Sequence, residues 1–327
     1  MSASSTQIDP SAPNGPGVRP GNTSGAGVLG SLKLAASDIK LHHSVFALPF
    51  AVLGAVMAWD RSVPGSSVQR FAGQMALVVA CMVFARTWAM MVNRLADARY
   101  DAMNPRTARR AIASGQLSVP AALGITVASA LLFITGAAAF WFFFENPWPT
   151  YLCLPVLGWL ALYSFAKRFT ALCHVLLGSA LAISPLAAAL AVNPAALTSV
   201  WSLYALCIMI TCWVAGFDVI YALQDEDFDR GIALHSIPAK LGSRGAALLA
   251  RTLHVIAAGA LIAVGLIDPR LNAIYFAAAG FACACLVLEH VILARSGLKG
   301  LPLVFFTLNG VISCVVGGVG TVEILLN

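Results

Sequence analysis

The sequence predicts an all-α, polytopic membrane protein with nine transmembrane helices around a central cavity and two pseudo-repeated acidic motifs. Three observations carry this. Hydrophobic residues make up 59% of the 327-residue chain and charged residues 10%, against about 25% charged in a typical soluble domain. Apolar segments long enough to cross about 30 Å of hydrocarbon follow one another along the chain. And seven of the fourteen acidic residues crowd into two short windows, Asn93–Asp101 (NRLADARYD) and Asp218–Asp229 (DVIYALQDEDFD).

Residues 1 to about 30 are rich in Ser, Gly, Pro, Ala and Asn without apolar periodicity, and are expected to form a disordered tail. No basic segment followed by an apolar core and a cleavage site precedes the first span, so no cleaved signal peptide is expected. Residues 31–327 then form one membrane domain. The spans are predicted at roughly 42–59, 71–92, 119–143, 150–166, 172–192, 198–219, 246–267, 272–293 and 302–326. The eight cysteines form no CxxC pair and sit almost entirely in apolar runs, where they are expected to be small buried hydrophobes.

Charge sets the orientation. Sixteen of the twenty lysines and arginines fall in the tail and in alternate loops, among them Arg94, Arg106, Arg109 and Arg110, then Lys167 and Arg168, then Arg230 and Lys240. The positive-inside rule places those loops, the N-terminus and both acidic windows in the cytoplasm, and the chain in the inner membrane. The net charge of +6 is thus a matter of topology, and no nucleic-acid partner is expected. The chain's surroundings are the lipid bilayer, and its sequence carries no signal for oligomeric state.

The two windows form a weak internal repeat, since Asp97 to Asp225 and Asp101 to Asp229 are each 128 residues apart. Asn93, Asp97 and Asp101 stand at i, i+4 and i+8, one face of a helix if the second span runs past the membrane surface. Asp218, Asp225 and Asp229 stand at i, i+7 and i+11, again one face, with Tyr221 beside them. Carboxylates at the ends of apolar helices are costly to place. Hard oxygen donors in two matched groups suit Mg²⁺, which shares carboxylates with substrate phosphate; solvated helix ends balanced by arginines are the alternative.

Between the windows, YSFAKR places Tyr163 and Lys167 at i and i+4, with Arg168 adjacent. This is a candidate diphosphate clamp, or a plain basic anchor. Arg86 lies within the second span, seven residues before Asn93. An arginine there costs about 2.5–3.5 kcal/mol on insertion scales, so it should pair either with Asp218 or another motif acid, or with a substrate carboxylate. His42 and His43 open the first span, as polar helix ends or with one of them touching an aromatic substrate. Asn193, His174 and His254 belong to no constellation.

Taken together, Asn-x-x-x-Asp-x-x-x-Asp at Asn93, Asp97 and Asp101, Tyr-x-x-x-Lys at Tyr163 and Lys167, and the acids Asp218, Asp225 and Asp229 resemble the UbiA superfamily of intramembrane prenyltransferases. The likeness covers about residues 33–326. It implies a helical bundle whose cavity opens to the cytoplasm and to lipid, and Mg²⁺-dependent transfer of a polyprenyl group from polyprenyl diphosphate to an aromatic hydroxy acid. On that resemblance, Asn93, Asp97, Asp101, Asp225 and Asp229 hold metal; Lys167, Arg168 and Tyr163 bind diphosphate; Asp218 and Lys167 are catalytic; Arg86, Tyr221 and His43 meet the acceptor. KLHHSVFALPFA (Lys40–Ala51) and YALQDEDFD resemble a bacterial branch of 4-hydroxybenzoate polyprenyltransferases that also includes menaquinone-pathway enzymes acting on 1,4-dihydroxy-6-naphthoate. One departure stands out: Arg94 occupies a place where many members carry Asp. Two other classes stay open on the residues alone, a secondary transporter with its acids as a cation path, and a non-catalytic binder of diphosphate lipids.

Overall fold

The computed structural model describes residues 28–38, 46–62 and 65–327. Twelve α-helices follow in order: α1 (Val28–Asp38), α2 (Leu48–Ala58), α3 (Val68–Met103), α4 (Val119–Phe144), α5 (Trp148–Ala166), α6 (Cys173–Val192), α7 (Ala196–Ser199), α8 (Ser202–Ala222), α9 (Glu226–Gly231), α10 (Ile237–Ile267), α11 (Ala273–Ser296) and α12 (Asn309–Leu326). Among the described residues eight helical segments are long and apolar enough to cross a membrane. This corrects the expected nine by one. The predicted first span, 42–59, appears as the 11-residue α2, about 16 Å long at 1.5 Å per residue and so short of a full crossing; residues 39–45 lie outside the described set.

Boundaries elsewhere follow the predicted ones closely, with two informative exceptions. α3 runs eleven residues beyond its apolar stretch, from an N-cap at Ser67, whose hydroxyl accepts the Arg70 N–H, to Met103. α10 begins at Ile237, nine residues before the predicted 246. Ser236 caps it by accepting the Ala239 N–H, and it turns sharply at Gly242, whose φ of 69° lies in the left-handed region that favours glycine. α1 is a third difference: a helix where a tail and an unassigned stretch were expected.

α6 and α8 lie at the centre of the packing, and α2 is enclosed beside them. α2 lies against α6 and α12, while α6 also meets α8 and α8 meets α10; α3, α4 and α5 pack on one another and α3 and α5 reach α6. Phe50, Ala51, Leu53 and Ala55 of α2 are wholly buried. Glycines make such closeness feasible, as small residues do between membrane helices. A Cβ on Gly54 would stand 2.5 Å from the Pro185 carbonyl oxygen of α6, and one on Gly317 of α12 would stand 2.6 Å from Pro49. Large apolar side chains on α4 and α10, such as Leu131 and Val255, face outward as lipid contact demands.

Candidate functional site

Both acidic windows come to the same end of the bundle, but on different backbones. The first is helical throughout. Asp97 and Asp101 are 3% and 6% exposed, and each is engaged by cations from later in the chain. The Asp97 carboxylate meets Arg168 Nη2 at 3.3 Å and Lys167 Nζ at 3.8 Å, and accepts from Asn93 Nδ2 at 3.4 Å. Arg110 Nη1 reaches both oxygens of Asp101, at 2.7 and 2.9 Å. Burying these charges unpaired would be severely destabilising, so the pairs account for how an apolar chain tolerates them.

The second window breaks its helix. α8 ends at Ala222, a 3₁₀ turn spans Leu223–Asp225, and α9 starts at Glu226. The single face expected for Asp218, Asp225 and Asp229 is therefore corrected, because a 3₁₀ turn advances fewer residues per revolution than an α-turn. Asp225 accepts from Asn104 Nδ2 and Arg106 Nε, each at 2.9 Å, and from Arg106 Nη2. Burial opposes the charge on Arg106, yet the Asp225 carboxylate more than compensates and holds the guanidinium above its ordinary pKa. Asp229 is buried near Lys167 and Ser236. Glu226 is held locally by Arg230 and Ser243, and Asp227 is exposed.

Two links join the windows. Asn104, which ends α3, donates to Asp225, and Lys167, the C-cap of α5, stands between Asp97 and Asp229. The backbone reinforces this, since the His235 N–H donates to the Lys167 carbonyl at 2.7 Å.

The remaining expected residues divide. Arg168 joins the first window and also donates to the Ala96 carbonyl at 2.6 Å. Tyr221 accepts from Arg106 Nη1 at 3.2 Å and packs its ring on Phe305 at 4.3 Å, at the border of the second window. Tyr163, one turn before Lys167 on α5, sets its hydroxyl 3.9 Å from Met90 Sδ, within electrostatic reach of Arg94 and Asp218. Arg86 lies within electrostatic reach of the Tyr163 phenol. His43 lies outside the described residues.

Four contributors escaped sequence reasoning. Arg106 and Arg110 enter the sequence reading only as basic loop residues and Asn104 not at all; their position just past Asp101 was the available signal. Asp38 of α1 binds Arg94 Nε at 2.9 Å and accepts the Ala111 N–H at 2.9 Å. Arg94, buried, in turn donates to Asn93 Oδ1 at 3.0 Å. Arg94 is thus paired with Asp38 and orients Asn93, with Asp101 within its electrostatic reach. A further correction concerns His174, expected to belong to no constellation: its Nδ1 stands 2.7 Å from Asp218 Oδ2.

The donor set suits magnesium by chemistry: Asn93, Asp97, Asp101, Asp225 and Asp229 offer hard oxygen atoms. Among the described residues no three acidic or histidine groups converge into a ready cage.

These features define an integral membrane helical bundle with an acid- and cation-lined site at one end. The chain belongs to the UbiA prenyltransferase family, whose model matches residues 47–311. It is 31% identical over 163 residues to a 4-hydroxybenzoate octaprenyltransferase of Francisella tularensis subsp. mediasiatica (50% of this chain, 55% of that one). It is 30% identical over 186 residues to the enzyme of that name from Pseudomonas fluorescens (56% of this chain, 59% of that one). The chain spans little more than half the length of the curated relatives it matches. The apo structure of a UbiA homologue from Aeropyrum pernix K1 superposes with a TM-score of 0.74 at 29% identity, over 85% of this chain and 97% of that one. A UbiA homologue from Archaeoglobus fulgidus bound to GPP and Mg²⁺ shares the fold, with a TM-score of 0.62 at 21% identity, over 88% of this chain and 99% of that one.

Proposed function

We propose that this protein transfers a polyprenyl group from polyprenyl diphosphate to an aromatic hydroxy acid of the 4-hydroxybenzoate type, in a Mg²⁺-dependent reaction of respiratory quinone synthesis at the cytoplasmic side of the inner membrane. The observation that carries the proposal is Lys167, whose ammonium is 3.8 Å from Asp97 of one acidic window and within electrostatic reach of Asp229 of the other. A diphosphate arriving there exchanges the carboxylate partners of Lys167 and Arg168 for its own oxygens. Asp97, Asp225 and Asp229, with Asn93 and Asp101, would hold the metal, which when bound supplies neutralising charge for the departing diphosphate. The names of the curated relatives and the GPP and Mg²⁺ held by the Archaeoglobus homologue support this assignment.

In the reaction the bond between prenyl C1 and the diphosphate oxygen breaks and the diphosphate leaves with the electron pair. Lys167 and Arg168 stabilise the charge it gathers. The electron-rich ring carbon forms its bond to C1 and then loses its proton. Asp218 orients the phenol hydroxyl or takes up the proton. Arg86 holds the acceptor carboxylate, and the Tyr221 ring borders the acceptor. An apolar surround keeps water from the developing allylic cation.

The test is mass spectrometry of products from purified protein given Mg²⁺, a polyprenyl diphosphate and, in separate reactions, 4-hydroxybenzoate or 1,4-dihydroxy-6-naphthoate. A prenylated hydroxybenzoate is expected, abolished by Asp97→Ala and by Asp225→Ala with membrane insertion intact. Product from the naphthoate alone would move the acceptor to the menaquinone branch. Full activity in both variants, or ion flux across liposomes without product, overturns the proposal.

A further inference from the structure

His174 and Asp218 meet beneath the acidic windows, where α6 begins and α8 nears its end. The imidazole is 4% exposed, while the Asp218 side chain retains 23%. Two hydrogen bonds define the ring's state. Ile237 is the first residue of α10, so its N–H has no acceptor within the helix; it points at His174 Nε2 at 3.3 Å. A backbone N–H can only donate, so Nε2 carries the lone pair and the ring proton sits on Nδ1, 2.7 Å from Asp218 Oδ2. In this arrangement Nδ1 directs its proton at Asp218 and Nε2 accepts from Ile237, so the ring is clamped between a helix N-terminus and a carboxylate.

Packing fixes this pair from behind. One turn along α6 from His174, a Cβ added to Gly178 would lie 2.3 Å from the Thr211 carbonyl oxygen. The two helices therefore touch backbone to backbone, and Thr211 stands two turns before Asp218. The separation of imidazole and carboxylate is set by a helix crossing rather than by flexible side chains. Arg86 and Asp218 both lie within electrostatic reach of the Tyr163 phenol.

We propose that His174 is a positioning residue for the acceptor. By occupying Oδ2 it leaves Asp218 Oδ1 turned toward the incoming phenol hydroxyl, and through Ile237 it ties that carboxylate to the segment carrying Asp229 and Ser236. The inference rests on the prenyl-transfer reading with Asp218 at the acceptor.

Full-length protein in lipid nanodiscs provides the test, using His174→Ala and His174→Asn, the latter keeping an N–H donor where Nδ1 stood. The alanine variant should lose about tenfold or more in kcat/KM for the aromatic acid, while KM for the polyprenyl diphosphate stays within about twofold; asparagine should restore most of the loss. An alanine variant with unchanged acceptor kinetics, or with equal losses toward both substrates, overturns the role. A readout free of activity accompanies it: ¹⁵N NMR of histidine-labelled protein, with His174 assigned by its disappearance in the asparagine variant. Protonated Nδ1 beside unprotonated Nε2 is expected; the opposite tautomer or an imidazolium refutes the arrangement. Absence of any prenyl transfer by the parent protein counts against the function itself, while the NMR result still judges the pair.

Discussion

The two acidic windows have matched spacing and unlike scaffolds. In the first, carboxylates at every fourth residue ride one continuous helix, and their partners come from three other segments: Asp38 through Arg94, Arg110, and the Lys167–Arg168 pair. In the second, the chain gives up its α-helix at Leu223, and Glu226 and Asp227 find local partners or solvent. A 128-residue offset thus preserved the chemistry of two carboxylates without preserving the backbone that holds them. The first window is a fixed wall. The second is a jointed one, with a 3₁₀ turn on one side and the Gly242 bend on the other.

That contrast can be broken experimentally. Lys167→Ala removes the group shared by both windows, and kcat/KM for the prenyl diphosphate should fall by about 10²-fold or more; a loss below threefold would mean the windows act independently. Arg106→Ala removes the clamp on the jointed window alone. It should raise KM for the diphosphate by about tenfold and leave acceptor KM unchanged, and an equal change in both would show that Asp225 also shapes the acceptor side. Asp38→Asn loosens Arg94 and, through it, Asn93 of the fixed window. Only a few-fold loss of activity is expected, with a measurable drop in Tm, because one member of a buried pair is left poorly matched. A variant as inactive as Asp97→Ala would place Arg94 in the chemistry itself.

Much of this was legible in the sequence. Apolar run lengths located the long helices to within a few residues at most ends, and i, i+4 spacing placed Asp97 and Asp101 correctly because α3 really is continuous. The second window misled for the same reason: spacing presumes an unbroken helix, and nothing local in YALQDEDFD announces a 3₁₀ turn. α2 was overlong in the reading because hydropathy measures apolar content, and a helix buried in protein is as apolar as one that spans lipid. Partners such as His174, Asp38 and Arg110 were invisible because pairing depends on how helices cross, which no single-segment pattern records.

The short buried α2 has a consequence for how the molecule is made. Its wholly enclosed residues leave it little surface to show to lipid, and its length cannot bridge a bilayer. Its neighbours are α6 and, through the Pro49–Gly317 contact, α12, which is synthesised some 250 residues later. The second helix therefore waits on α12 for its final seat. During synthesis, the half carrying Asn93–Asp101 exists before the surface that locks its foundation in place.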